Sequence, residues 1–316
     1  MEDLKAYKVK VSSALNITLN KNTTVFSPPP PLGGAVLLFI LKILEGKLLR
    51  ESVLQEGETY HRIAEALKYG NVLKPEMKDP DFSETKATVG IMLSDTTAER
   101  VRSQIDARGD HPLDHYNFWK LTQNHDYESK GTSHISVLAA DGSAVSATST
   151  INYPCLENLG LLRLLVLHEE CTAERNESVC PNAHIGGIIL SAFALGERPP
   201  SAMVPSILIS KSGDMLVIGG AGGGWIISAT AMAIVNKLWF GYDLERAISS
   251  PIMHTNKDSI LFEKHFSEDV RNSLLKRGHK EQKVEFAMNV VQGVSKEGKC
   301  ISAYSDKRKL GKSAGY

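Results

Sequence analysis

The chain has 316 residues, 42% apolar and 23% charged, enough for one large domain or two ordinary ones with a sizeable core. Lys plus Arg and Asp plus Glu number 36 each, so the formal net charge is zero. With no long basic run, that balance excludes nucleic acid or an anionic membrane as the main partner. Four cysteines, Cys155, Cys171, Cys180 and Cys300, are too few for a disulfide-built scaffold. The start of the chain lacks the basic and apolar segments of a signal peptide, and the longest apolar run, 35–41, is far short of a bilayer span.

Residues 1–25 alternate charged and apolar types and read as a surface element or strand. They include glycosylation sequons at Asn16 and Asn22; a third lies at Asn176. Ser27 is followed by four prolines, which predict an extended, polyproline-like path, and then by Gly33 and Gly34. A buried helix is expected over 35–44. A second, 58–69, carries Tyr60, Ile63, Ala64 and Leu67 at helical spacing and is expected to stop at Gly70. Pro75 and Pro80 break 71–90 into loop, and 96–106 reads as a polar, exposed helix capped by Asp95. His111, His115 and His125 fit no metal-ligand spacing and are read as solvated loop histidines.

Two runs, 133–139 and 144–150, are rich in β-branched and small residues and flank Asp141-Gly142, which favours the positive φ angles of a tight turn. This is a hairpin entered through Gly131 and Thr132 from an exposed loop where a chain can be cut. It is either a buried strand pair or a device presenting Thr132 as a nucleophile released at a new N-terminus.

Beyond it, His168, Cys171, Cys180 and His184 have a zinc-like spacing, with a local Cys171–Cys180 disulfide or unpaired thiols as the alternatives. Strands are expected over 207–210 and 215–218, the second running into Gly219-Gly-Ala-Gly-Gly-Gly224 and a buried helix, 225–240. Strand, glycines and helix place free N–H groups at a helix N-terminus. The run lacks the Lys-Ser/Thr pair of a phosphate loop and the acidic partner of a dinucleotide site, so close backbone packing or an oxyanion hole is the expected use. Helices 244–249 and 267–277 and strands 259–263 and 284–294 complete an α+β chain.

Gly131-Thr132-Ser-His134, the run Asp141 to Asn152, Arg198-Pro-Pro-Ser201, the glycines 219–224, Leu238-Trp-Phe-Gly-Tyr242 and Ser305-Asp-Lys-Arg-Lys-Leu-Gly311 resemble the gamma-glutamyltransferase family. The prolines with Gly33-Gly34, and Thr59-Tyr-His-Arg-Ile63, add upstream matches. Glu197-Arg-Pro-Pro-Ser201 and Val217-Ile-Gly-Gly-Ala-Gly-Gly223 are closest to the branch cleaving glutathione and cysteinyl leukotrienes. The resemblance covers most of the chain except 153–195.

It implies an N-terminal-nucleophile hydrolase fold, an αββα sandwich, from a precursor that cuts itself between Gly131 and Thr132. Residues 1–131 would be the C-terminal part of a large subunit, and 132–316 the small catalytic subunit with an atypical segment at 153–195. Thr132 would attack the γ-glutamyl amide of glutathione, its S-conjugates or leukotrienes. Thr150 would bond the nucleophile, Asn152 and Ser201 would hold the glutamyl group, and Gly222 and Gly223 would form the oxyanion hole. No cofactor or metal is implied, and the partners are small γ-glutamyl substrates. The implied location is the outer face of the plasma membrane, through an upstream anchor that this chain lacks. Ala202 stands where the resemblance implies a second serine, and the family's acidic motif and upstream arginine have no counterpart. The alternative is a catalytically silent, truncated or variant member acting only through binding.

Overall fold

A computed structural model describes residues 5, 7–45, 56–106, 109–117, 131–150, 184–185, 188–189, 196–283 and 290–315. In chain order the strands are β1 (Leu15–Leu19), β2 (Thr23–Ser27), β3 (Thr132–Leu138), β4 (Ala144–Thr150), β5 (His184–Ile185), β6 (Ile188–Ile189), β7 (Ser206–Ser210), β8 (Met215–Ala221), β9 (Met253–Asn256), β10 (Ser259–Phe262), β11 (Lys280–Glu281), β12 (Val290–Glu297) and β13 (Cys300–Ser305). The helices are α1 (Gly34–Leu44), α2 (Glu56–Leu73), α3 (Thr85–Met92), α4 (Asp95–Gln104), α5 (Leu113–Tyr116), α6 (Ile226–Leu238), α7 (Leu244–Ser249) and α8 (Glu268–Lys276).

A six-stranded sheet in the order β1-β2-β7-β8-β12-β13, antiparallel throughout, is the centre of the molecule. Alternation on β8 separates its two faces. A side chain at Gly219 would strike the His134 ring of β3, whereas one at Gly220 would meet Val290 O and approach Thr230 of α6. Hairpin β3–β4 therefore covers one face, and α6, α7 and α1 pack on the other. Helix α1 is apolar all round and buried everywhere but Lys42, as befits a helix with neighbours on every side. The expected parts 1–131 and 132–316 interleave: β2 pairs with β7, and α2 packs on β9 and α8. A cut between them would separate the sequence but not the sheet.

Several expectations change. Leu32 N–H donates to Pro29 O at 3.2 Å, closing a turn, so the prolines are not a uniform extension. Helix α2 runs through Gly70 to Leu73, because a Cβ at Gly70 would lie 2.6 Å from Ile40; the glycine brings α1 and α2 together instead of ending the helix. The span 71–90 includes a 3₁₀ turn, Lys74–Glu76, and α3. The cap of α4 is Ser94, whose hydroxyl accepts from Thr97 N–H, while Asp95 pairs with Lys42 at 2.8 Å. Strand β12 begins at Val290, and 284–289 lie outside the described residues. No described helix is long and apolar enough to cross a membrane.

Candidate active site

Hairpin β3–β4 places Thr132 directly opposite Thr150. Its turn is not a two-residue one: Gly142 N–H donates to Ala139 O at 3.0 Å, and only Gly142 of the Asp-Gly pair takes a positive φ, 88°. Even-numbered residues point inward with period two, which buries Thr132 to 5% exposure and brings two hydroxyls together. Thr132 Oγ1 donates to Thr150 Oγ1 at 3.2 Å, and Thr150 Oγ1 donates in turn to Gly131 O. Lys309 Nζ donates to Thr132 O at 2.5 Å. A hydroxyl thus lies beside the carbonyl that precedes it in the chain, and that carbonyl is polarised by a second hydroxyl.

The inner face of the hairpin is tied to the glycine strand. Ser146 Oγ donates to Ile218 O at 3.0 Å, and Ser136 Oγ to Gln292 O at 3.4 Å. The His134 ring lies flat over Gly219, bonded to Thr148 at 2.8 Å and Ser136 at 2.9 Å, and burial pushes its imidazole down to about 4. Gly219 and Gly220 are consequently strand, not loop, extending β8 past the expected end at Ile218. Gly222 and Gly223 follow with φ of 133° and 62°, the second opening a 3₁₀ turn, Gly223–Trp225, before α6. The first residues of such a turn have N–H groups with no partner inside it, the requirement for an oxyanion hole. Lys74 Nζ donates to Gly224 O at 2.9 Å and pins this loop to the upstream half.

Ser201 N–H donates to Pro31 O at 2.9 Å, and its hydroxyl accepts from Met203 N–H at 3.4 Å, which locks the loop against the proline run. Asn16 and Asn22 are exposed on the first hairpin. Asn152, Asn176, His125, His168, Cys171 and Cys180 lie outside the described residues. Among the described residues Cys300 is a free, exposed thiol.

Sequence reasoning missed a buried polar cluster built from α2, the segment around α5, and His279. His111 and His115 are not solvated loop residues: their rings stack 4.0 Å apart, and His115 Nε2 lies 2.8 Å from the Tyr69 hydroxyl. His61, Glu65 and His279 bring ligand atoms within 4.8 Å of one another. Their bonds nevertheless describe a proton network. Lys68 Nζ donates to His279 Nδ1 at 3.2 Å, so His279 Nε2–H donates to His61 Nδ1 at 2.7 Å, and His61 Nε2–H to Asp106 O at 2.8 Å. Both rings are neutral in this chain of bonds, in keeping with imidazoles pushed down chiefly by burial. Lys68 also pairs with Asp110. An ammonium in contact with one of the rings opposes a bound cation.

Tyr116 Oη lies 2.6 Å from Glu65 Oε1 and 2.9 Å from Asp110 Oδ1, with one proton to give. Both contacts are hydrogen bonds when Glu65 is protonated, giving its proton to Oη while Oη donates to Asp110. Burial pushes Glu65 up to about 7, and Glu65 Oε2 has no hydrogen-bond partner among the described residues. The folded state holds this proton more tightly than the unfolded chain does. Its stabilisation is complete below pH 4.5 and is lost as pH rises through about 7. Relative to the native chain, Glu65→Gln should therefore gain about 2–3 kcal/mol between pH 4.5 and pH 8, read by urea unfolding at both. A difference that stays constant with pH would refute the assignment.

A sequence model of the Gamma-glutamyltranspeptidase family matches residues 1–316. The glutathione hydrolase 5 proenzyme of Homo sapiens is 42% identical over 335 residues, covering 100% of this chain and 56% of that protein. The glutathione hydrolase proenzyme of Escherichia coli is 30% identical over 288 residues, 88% of this chain and 48% of that protein. The chain spans about half the length of the curated relatives it matches. Among solved structures, cephalosporin acylase from Bacillus halodurans superposes with a TM-score of 0.69 at 20% identity, over 97% of this chain and 53% of that one.

Proposed function

The chain belongs to the gamma-glutamyltranspeptidase family and has the α+β fold of N-terminal-nucleophile hydrolases, and on that premise we propose that it cuts itself before Thr132 and then transfers γ-glutamyl groups. The observation that carries this reading is the relay from the Thr132 hydroxyl to Thr150 and on to the Gly131 carbonyl. In the intact chain, Thr132 Oγ1 bonds to the Gly131 carbonyl carbon as the Gly131–Thr132 C–N bond breaks, and the hydroxyl proton goes to the departing nitrogen. Thr150 stabilises the charge that develops on the Gly131 oxygen. Water then hydrolyses the ester and frees Thr132.

The free α-amine, with an ordinary pKa of roughly 8, serves as base near neutral pH. Thr132 Oγ1 attacks the γ-carbonyl carbon of glutathione, its proton passes to the α-amine, and the peptide nitrogen takes that proton as it leaves. Water or an acceptor amine resolves the ester, giving ping-pong kinetics. Gly222 and Gly223 supply N–H donors to the oxyanion, and Ser201 and Asn152 hold the glutamyl group. Glutathione conjugates and cysteinyl leukotrienes are the finer substrate assignment. The exposed sequons at Asn16 and Asn22 fit a glycosylated protein on the outer face of the plasma membrane.

Ala202 favours a second reading, a member that binds without turning over, because it offers no hydroxyl to the substrate carboxylate. A lost hydrogen bond to a charged group costs about 1.5–3 kcal/mol. Sequencing the N-termini of the expressed chain and assaying a γ-glutamyl anilide separates the two. A fragment beginning at Thr132 with anilide release is expected; an uncut, inert chain would sink the enzymatic reading.

A further inference from the structure

The C-terminal turn is built more elaborately than an exposed chain end requires. Asp306 is buried and caps the 3₁₀ turn Lys307–Lys309, accepting from Arg308 N–H at 2.9 Å through Oδ1 and from Val291 N–H at 3.3 Å through Oδ2. Arg308 Nη1 donates to Asp306 Oδ2 at 2.7 Å and to Ile248 O at 3.2 Å, and Nη2 to Ser249 O, Ser250 O and Glu263 Oε2. Glu263 Oε2 also accepts from Ile252 N–H at 2.9 Å. Leu310 leaves the turn in the left-handed region, φ 54°, and a Cβ at Gly311 would strike the Ser305 hydroxyl, so the chain folds tightly back on β13. This frame ties the turn to β12, α7 and the strand that follows α7. Its projecting product is Lys309, whose ammonium meets the carbonyl of Thr132.

On the reading of Thr132 as the self-released nucleophile, we propose that Lys309 is a positioning residue for it. Its bond to the Thr132 carbonyl holds the residue still once the Gly131–Thr132 bond is cut, and its charge keeps the new α-amine in the base form. Within one residue the carbonyl oxygen lies roughly 3–3.5 Å from the α-nitrogen, so a protonated amine would face a second cation at close range. A like charge at that distance disfavours protonation. The amine then stays free to take the Thr132 hydroxyl proton as Oγ1 bonds to the γ-carbonyl carbon, and to pass it to the leaving nitrogen.

Among the described residues, the other groups near the nucleophile leave this effect to Lys309. On β3 itself His134 is neutral and engaged with Thr148 and Ser136. Strand β4 presents Thr148 and Thr150, β8 presents glycines, and β12 presents Gln292 near Ser136, with Lys296 and Glu297 at its far end. Lys307 faces Glu245 at 3.6 Å, and Arg308 is satisfied by Glu263 and Asp306. Among the described residues Lys309 has no carboxylate partner.

The test compares the native chain with Lys309→Met and Lys309→Arg. It reads the N-terminus by sequencing, kcat/KM for a γ-glutamyl anilide against pH, and the α-amine titration by ¹⁵N NMR after labelling threonine. All three proteins should yield the fragment starting at Thr132. In Lys309→Met the amine titration and the acidic limb of kcat/KM should both move up by about one pH unit, and Lys309→Arg should restore them. Profiles of a cut Lys309→Met protein that superpose on the native ones would overturn the role of Lys309 alone. A native chain that stays uncut would overturn the underlying nucleophile reading, and this inference with it.

Discussion

Thr132→Ala is expected to leave the chain in one piece and to lower γ-glutamyl transfer by about 10⁴-fold or more, the usual scale for removing a nucleophile that acts as part of a unit. The fold should survive, because the change removes a hydroxyl and a methyl group from the end of β3 while the backbone register with Thr150 is retained. What disappears is the hydroxyl beside the Gly131 carbonyl, so the bond before residue 132 has no internal attacker. Thr132→Ser keeps Oγ and should still cut and turn over. Gel mobility, N-terminal sequencing and anilide release read the three proteins together. Cleavage at the same bond in Thr132→Ala would mean that Thr132 is not the attacking group. Thr150→Ala should slow cutting while sparing the nucleophile, since it removes the donor to the Gly131 oxygen.

The second large effect belongs to stability. Lys68→Met should destabilise the chain by about 3–5 kcal/mol, because it leaves the Asp110 carboxylate, a side chain only 8% exposed, without its cation. The Lys68 ammonium also donates to His279 and lies 5.2 Å from the centre of the Tyr116 ring. Its removal therefore takes the donor from one end of the histidine chain and unbalances the proton shared between Glu65, Tyr116 and Asp110. Asp110→Asn should cost a similar amount by isolating the lysine. The double variant should cost clearly less than the two combined, since neither charge is then left alone. Urea midpoints at pH 7, with unchanged m-values, are the measurement. A loss below about 1 kcal/mol for Lys68→Met would show that water reaches and solvates Asp110. After cutting, Lys68 and His279 would sit in different fragments, so the same variant should loosen their association.

Helix α1 and hairpin β3–β4 were legible from local signals, an apolar run and alternation around a glycine turn, and α7 and α8 fall within the spans expected for them, their caps Asp243 and Ser267 being shown by the structure. Thr132 was marked as the entry of that hairpin by the same signals, whereas Thr150 came from the family resemblance; the register that makes these residues neighbours is a finding of the structure. Signals failed where a residue answered to a distant partner. Gly70 resembled a helix stop and is a contact point for Ile40; Gly219 and Gly220 resembled a loop and are strand positions emptied for His134 and Val290 O. Ser94, and not Asp95, caps α4 because Lys42 takes the Asp95 carboxylate. The histidines of 111–115 looked solvated because nothing nearby in sequence announces Tyr69.

The amino-acid sequence alone therefore carried the α+β class, the nucleophile hairpin and the family resemblance, all of which reside in spacings of two to a few dozen residues. Tertiary structure alone brought Lys68, Asp110 and His279 into one buried network and Lys309 to the carbonyl of Thr132. The physical reason is that helices and strands impose periods on a sequence, whereas contacts between residues some two hundred positions apart impose none. Such contacts arise only when the sheet pairs β2 with β7 across the two halves and β8 with β12 within the second.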